Sequence, residues 1–310
     1  MADFQQKALA EIETSFAEKE VCLLHGITSS GKTEVYIKLI EQQLKKGKQV
    51  LYLLPEIALT TQIIKRLQKH FANKVGITHS HLNNAERVEV WKAVQEDNDK
   101  KVQYPIMLGA RSSLFLPFSN LGLIIVDEEH DPSFKQHQPA PRYHARDAAI
   151  YLANLHKAKV LLGSATPCVE SYYNAKTGKY ALVEMHTRYQ GIAPPKIQTI
   201  DIRKAHLKKQ MKYQFSPEML TSIEQTLSIG KQVILFQNRR GYSPVLSCST
   251  CAYTPNCNSC DVSLTYHKWN NHLKCHYCGY TEKPPEFCPS CSANDFKDKG
   301  FGTEQIEESL

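Results

Sequence analysis

Eight of the ten cysteines form four Cys-x-x-Cys pairs: Cys248 with Cys251, Cys257 with Cys260, Cys275 with Cys278, and Cys288 with Cys291. Each such turn presents two thiolates to one metal, and two turns complete the tetrahedron that zinc prefers. The same chain carries Gly26-Ile27-Thr28-Ser29-Ser30-Gly31-Lys32-Thr33, a Gly-x4-Gly-Lys-Thr phosphate-binding loop. There Gly26, Gly31 and the intervening backbone amides would wrap the phosphates of ATP. Lys32 would meet the β and γ phosphates, and the Thr33 hydroxyl would coordinate Mg2+. Further on stands Asp127-Glu128-Glu129-His130. Asp127 is the candidate second magnesium ligand and Glu128 the base for an attacking water.

These groups need elements to aim them. The loop follows the apolar run VCLLHG (21–26) and opens the amphipathic stretch TEVYIKLIEQQL, while the carboxylates end the run LGLIIVD. Further apolar runs occur at 49–55, 74–79, 105–110 and 159–166. Short apolar runs alternating with amphipathic stretches predict buried parallel strands with crossover helices, an α/β class with a doubly wound sheet. Ligands then sit at the carboxyl ends of the strands. We expect a first lobe over 1–190, a connection over 191–215 marked by Pro194-Pro195, and the start of a second α/β lobe over 216–247. There Ser216-Pro217 caps a helix, Gly230 stops it, and QVILFQ (232–237) reads as a strand. The cysteines occupy 248–292, and the second lobe resumes over 293–310.

With 310 residues and 42% hydrophobic content, the chain is long enough for about two domains with cores of their own. No run reaches the ~18–20 apolar residues of a membrane span, and the amphipathic, mixed-charge start is unlike a signal peptide. A cytoplasmic location is expected, with no membrane partner, and there paired cysteines favour metal over disulfides. The net charge of +7 and the run Arg203, Lys204, Lys208, Lys209, Lys212 suit a polyanionic partner or simply a solvated loop. Cys22 and Cys168 lie on apolar runs and read as buried core. Residues 261–274 separate Cys260 from Cys275, close to the ribbon spacing of about 15–20 residues, so the inner two pairs form one natural site and the outer pairs the other. Two structural Zn2+ ions follow, with His267, His272 and His276 read as surface residues.

The motif order carries a resemblance. Asp127-Glu128-Glu129-His130, Gly163-Ser164-Ala165-Thr166-Pro167 and Leu54-Pro55-Glu56-Ile57-Ala58-Leu59-Thr60 resemble motifs II, III and Ia of superfamily 2 helicases. Gln5 with Ala8 matches an adenine-recognising Q motif, Gly109-Ala110-Arg111-Ser112 a Gly-Thr-Arg-Ser segment, and FQNRRG (236–241) motif IV. Cysteine knuckles directly after motif IV, followed by Gly300-Phe301-Gly302-Thr303-Glu304, are similar to the PriA family of replication-restart helicases.

That resemblance implies a RecA-like ATP-binding lobe and an incomplete second lobe carrying a zinc insertion. It implies ATP-driven 3′ to 5′ unwinding of forked and single-stranded DNA, with single-strand-binding protein and primosome components as partners, and the same nested pairing of cysteines. It makes 131–147 an aromatic-rich loop that senses DNA, with Phe134 and Tyr143 stacking on bases and Arg142 and Arg146 pairing with phosphates or carboxylates. Ser164 and Thr166 would couple hydrolysis to lobe closure. Arg111 and His130 would join this coupling or serve only as structural hydrogen-bond donors. Tyr253, Tyr266, Trp269, Tyr277 and Tyr280 offer stacking surfaces in the zinc module. Ser29 replaces the usual glycine of the loop and Ala110 the usual threonine. The family's motifs V and VI, with an arginine finger, are expected beyond Leu310, and its N-terminal DNA-binding domain before Met1, so the chain reads as an internal fragment. Two other readings remain. An ATP- and DNA-binding zinc scaffold would show salt-dependent DNA binding without DNA-stimulated ATPase. A P-loop kinase with a zinc lid would need a phosphoryl acceptor, and leaves Ser-Ala-Thr and Asn-Arg-Arg-Gly unexplained.

Overall fold

The computed structural model describes residues 1–55, 61–79, 82–95, 103–191, 193, 195–238, 245–260, 262–276, 278–300 and 302–309. The expected segment 56–60, Pro194, the Arg-Arg-Gly of motif IV, Tyr277 and Phe301 lie outside these. The chain divides into two compact units, Met1–Pro195 and Lys196–Leu310.

All six apolar runs of the first unit are strands: β1 (Val21–Gly26), β2 (Gln49–Leu53), β3 (Val75–Thr78), β4 (Ile106–Gly109), β5 (Leu121–Asp127) and β6 (Lys159–Ser164). A seventh, β7 (Ala181–Met185), was not expected. The order is β3-β4-β2-β5-β6-β1-β7, with every pairing parallel. Alternate residues feed two cores. Cys22, Leu24, Val50, Tyr52, Ile125 and Leu161 pack under α1 (Asp3–Glu18), α2 (Lys32–Lys45) and α3 (Thr61–Phe71). Leu23, Leu51, Ile124, Val126, Val160 and Leu162 pack with Val94 of α4 (Asn84–Val94), with alanines of α5 (Ala145–His156), and with Ala175 of α6 (Val169–Lys176). Both faces are covered, which is why these strands read as continuous apolar runs. β6 lies between β5 and β1, with Asp127 beside Gly163 and His25 beside Ser164. The carboxyl ends that carry the three motifs are therefore adjacent.

In the second unit, α7 (Ile202–Leu207) precedes α8 (Pro217–Ser228), whose cap is as expected: Ser216 Oγ accepts from the Met219 N–H at 3.2 Å. The expected strand QVILFQ is not one. Residues 231–238 lack regular structure, with Ile234 and Phe236 exposed: a strand of this composition forms only where neighbouring strands bury it. The remaining strands are short: β8 (Val245–Cys248), β9 (Thr265–His267), β10 (His272–Lys274), β11 (Thr281–Glu282) and β12 (Phe296–Lys299). β9, β10 and β11 form an antiparallel sheet, and β12 pairs antiparallel with β8. Helix α9 (Thr303–Ser309) follows.

Candidate functional site

The phosphate loop joins β1 to α2. Gly31 caps the helix at φ 79°, and a Cβ there would overlap the Gln5 amide. Gln5 is buried: its Oε1 accepts from the Ala2 N–H at 2.9 Å and its Nε2 donates to the Ser30 carbonyl at 3.2 Å. Lys32 Nζ donates to the Gly26 carbonyl at 2.9 Å. Ser30 Oγ is buried without a hydrogen-bond partner among the described residues, as an oxygen awaiting an anion would be. Ser29 sits at φ 66°, the left-handed region that explains why glycine is usual there.

At the end of β5, Asp127 accepts three hydrogen bonds, from the hydroxyls of Tyr36 (3.0 Å) and Tyr52 (3.0 Å) and from the Glu128 N–H (3.1 Å). Burial, then the neighbouring Glu128, raises its carboxyl above the ordinary range, while Tyr36, Lys32 and Tyr52 pull it down. Gly163 makes this arrangement possible, since a Cβ there would overlap the Tyr36 hydroxyl. Glu128 adopts φ 51°, and its Oε2 lies 3.7 Å from His130 Nδ1. That nitrogen is 2.7 Å from Ser164 Oγ, and the opposite ring nitrogen is 3.4 Å from Thr166 Oγ1. Ser164 Oγ also accepts from the Thr166 N–H at 2.9 Å. The expected base and the Ser-Ala-Thr segment thus meet through one imidazole.

Glu129 is fully buried. It accepts from the Cys168 N–H (2.8 Å), Ser171 Oγ (2.8 Å) and Arg146 Nη1 (3.2 Å), while Arg146 also pairs with Asp147. This ties the start of α5 to the start of α6. Cys168 is therefore not apolar core as expected: it caps α6, with its sulfur between Arg146, Glu129 and Ser171. Cys22 is in the core, and burial pushes its thiol up to about 12.

The 131–144 loop departs from expectation at Phe134. A short turn capped by Asp131 tucks this ring into the core at 1% exposure, so it is not available to stack on a base. Arg111 Nη1 donates to the carbonyls of Ser133 (3.1 Å) and Lys135 (2.9 Å), which holds the loop's backbone. Arg142 is exposed, and Tyr143 packs edge-on against the exposed Phe115 at 5.3 Å.

Two sets of four cysteine sulfurs converge, each within 4.8 Å: Cys248, Cys251, Cys288 and Cys291; and Cys257, Cys260, Cys275 and Cys278. The sulfur separations of 3.5–3.7 Å between Cys248 and Cys291, Cys251 and Cys288, and Cys257 and Cys278 fit tetrahedral zinc, for which Zn–S bonds of about 2.3 Å require about 3.8 Å between sulfurs. Three of the knuckles share one local fold among the described residues. The N–H groups of Ala252, Gly279 and Ser292 donate to the carbonyls of Cys248, Cys275 and Cys288, each donor residue at positive φ. Electrostatics favours a cation as well. In one set the Cys251 N–H pulls the Cys248 thiol down to about 6; in the other the sulfur of Cys278 pushes Cys260 up to about 12, so crowded thiolates there need positive charge to coexist. His267 is not the surface residue expected. Its Nδ1 lies 2.6 Å from Glu304 Oε1, its Nε2 lies 3.1 Å from His276 Nε2, and its side chain is largely buried. Of the proposed stacking rings, Trp269 is exposed, while the Tyr266 and Tyr280 hydroxyls bond to Asn271 and Glu282.

The DEAD/DEAH box helicase family matches residues 2–174, more than half of the chain. The chain belongs to that family. A helicase of this kind binds nucleotide, and the match spans both the phosphate loop and the carboxylates that the sheet brings together. A second match, to the Cys-rich region of PriA DNA helicase, covers residues 257–283. The chain is 42% identical over 312 residues to the replication restart protein PriA of Bacillus subtilis (strain 168), covering 100% of this chain and 38% of that protein. It is 42% identical over 310 residues to the PriA of Chlamydia pneumoniae, covering 99% and 41%. An alignment with the structure of RecG bound to a three-way DNA junction covers 69% of this chain and 28% of that one, at 19% identity and a TM-score of 0.44.

Within the helicase unit, the structure brings Lys32 and Asp127 into electrostatic reach, and joins Glu128, Ser164 and Thr166 through His130. Sequence reasoning missed Tyr36 and Tyr52 on Asp127, the Glu129–Arg146 pair and Phe115. The first of these had a signal: Tyr36 stands four residues after Lys32, on the same face of a helix. The others are tertiary contacts with no local mark.

Proposed function

We propose that this chain is the ATP-hydrolysing and zinc-bearing part of a PriA-type helicase that moves along DNA at stalled or forked replication sites. The observation that carries this reading is the junction of β5 and β6, where Asp127 lies beside Gly163 and Glu128 reaches Ser164 and Thr166 through His130, next to the strand that leads into the phosphate loop. Lys32 and the loop amides hold the phosphates, and Gln5 braces the loop at Gly31 while lining the space beside it. Thr33 and Asp127 would hold Mg2+, which when bound supplies positive charge to the phosphates. Glu128 takes the proton of the attacking water, and its neighbour His130 passes the change in charge to Ser164 and Thr166. The 131–144 loop, braced by Arg111, presents Arg142 and the Phe115–Tyr143 pair to single-stranded DNA in place of Phe134.

Zn2+ would be held by Cys248, Cys251, Cys288 and Cys291 and by Cys257, Cys260, Cys275 and Cys278, two ions in all, as structural braces. The proposal extends to 3′ to 5′ polarity, forked DNA as substrate, single-strand-binding protein and primosome components as partners, and a cytoplasmic location, as the motif resemblance implies. No helix among the described residues is long and apolar enough to cross a membrane.

Phosphate release by the intact enzyme, with forked DNA and no phosphoryl acceptor, tests the reading. DNA should stimulate release, and Lys32→Ala should abolish it while leaving the zinc content unchanged. Retained turnover in Lys32→Ala, or release that needs an acceptor, would overturn it.

A further inference from the structure

A cavity of about 710 Å³ opens beside the phosphate loop and is lined by Ser29, Gly31, Gln5, Ala2, Arg66 and Tyr189 among others. Its size is that of a site for a whole nucleotide and exceeds what a triphosphate alone fills. Ser29 and Gly31 mark its phosphate end. Ala2, Gln5 and Tyr189 carry no charged side chain, and the two charged side chains of the lining, Arg66 and Glu34, pair with each other. Gln5 spends hydrogen bonds on Ala2 and Ser30, so its amide edge fixes orientation but supplies little contact area.

Tyr189 supplies that area. It opens the short turn Tyr189–Gly191, and its ring side chain stays half-exposed while its main chain is fixed: the Tyr189 N–H donates to the Ser29 carbonyl at 2.9 Å. A tyrosine left open at a cavity wall forgoes the burial that an aromatic residue normally gains in the core. A flat heterocycle is the partner that recovers it, because any base presents a π face to a ring. The bond to Ser29 also sets the position of Tyr189 relative to the loop that grips the phosphates, so base and phosphates are held in one register.

We propose that Tyr189 is the base platform of the nucleotide site and stacks on the purine of bound ATP or ADP. This rests on the reading of Gly26–Thr33 as the ATP loop, and the test separates the two. Calorimetric titration of the full chain with ADP and with inorganic tripolyphosphate compares the wild type with Tyr189→Ala, Tyr189→Phe and Lys32→Ala. Tyr189→Ala should weaken ADP about tenfold, a typical loss for one stacked base, and leave tripolyphosphate unchanged. Tyr189→Phe, which keeps the ring, should retain wild-type ADP affinity. Lys32→Ala should weaken both ligands. Equal ADP affinity in Tyr189→Ala and wild type, or equal loss of ADP and tripolyphosphate, would overturn the platform while leaving the loop assignment intact. An unchanged Lys32→Ala would instead overturn the loop assignment and the platform with it.

Discussion

The unit Met1–Pro195 aims its polar residues from a seven-stranded sheet buried on both faces, whereas the cysteines of Lys196–Leu310 hang on strands of two to four residues around a small cluster of Leu246, Leu264 and Leu273. In the first unit precision comes from register: Asp127 meets Gly163 because β5 and β6 pair, and the apolar core fixes that pairing. In the second it comes from the knuckles themselves, whose repeated backbone bonds converge the sulfurs with little core behind them. A scaffold stabilised by apolar burial can carry strained or uncompensated polar groups at its edge, while one this small needs its ligand to hold it.

Metal removal should show the difference most strongly. Zinc binding to small structural sites is worth about 10–16 kcal/mol in apparent free energy, far more than this cluster supplies. Chelation should therefore remove hydrogen-exchange protection from β8 to β12 while the amides of β1 to β7 stay protected. Cys257→Ser should lower zinc content by one ion per chain and not two by elemental analysis. Simultaneous loss of protection in both units would break the comparison.

Next in size is the buried pair of the first unit. Glu129→Ala leaves Arg146 without its buried partner, and such a loss costs about 3–5 kcal/mol. Denaturant unfolding of the first unit should shift accordingly, with zinc content unchanged. A shift below about 1 kcal/mol would mean that Asp147 alone satisfies Arg146.

How much of this was legible follows from the same contrast. The strands were readable because parallel strands covered on both faces are uninterrupted apolar runs, and the knuckles because their chemistry is local. β7 escaped because it is an edge strand whose short apolar run is interrupted by the exposed Glu184. QVILFQ has the composition of a strand, yet strand formation depends on neighbours that no local pattern reveals. Phe134 and Cys168 were assigned by residue type, and tertiary context reversed both: the ring went into the core and the thiol into a polar cluster.

Asp127 gives a pH test of the sheet unit's tolerance for a functional charge. Its carboxyl is raised chiefly by burial, so the fold favours the protonated form. That contribution is present below the ordinary Asp value of about 3.9 and is lost as pH rises through the raised folded value. Asp127→Asn cannot ionise there. Without nucleotide or added magnesium, its melting temperature should rise relative to the wild type between about pH 4 and pH 7. The opposite slope would mean that Lys32 and the two tyrosine hydroxyls outweigh burial.

The smallest effect is expected at Ser29, where strain and function share one residue. At φ 66° a non-glycine residue carries a backbone cost of about 1–2 kcal/mol, and glycine would relieve it. Glycine also gains freedom in the unfolded chain, worth about 0.5–1 kcal/mol against the fold. The two nearly cancel, so Ser29→Gly should change stability by less than about 1 kcal/mol. Nucleotide affinity should be kept, because the Ser29 carbonyl that receives the Tyr189 N–H belongs to the backbone and survives the substitution. A large loss of affinity would show that the serine side chain itself holds the phosphates. The tolerance of the sheet unit for a strained loop would then have a chemical reason as well as a structural one.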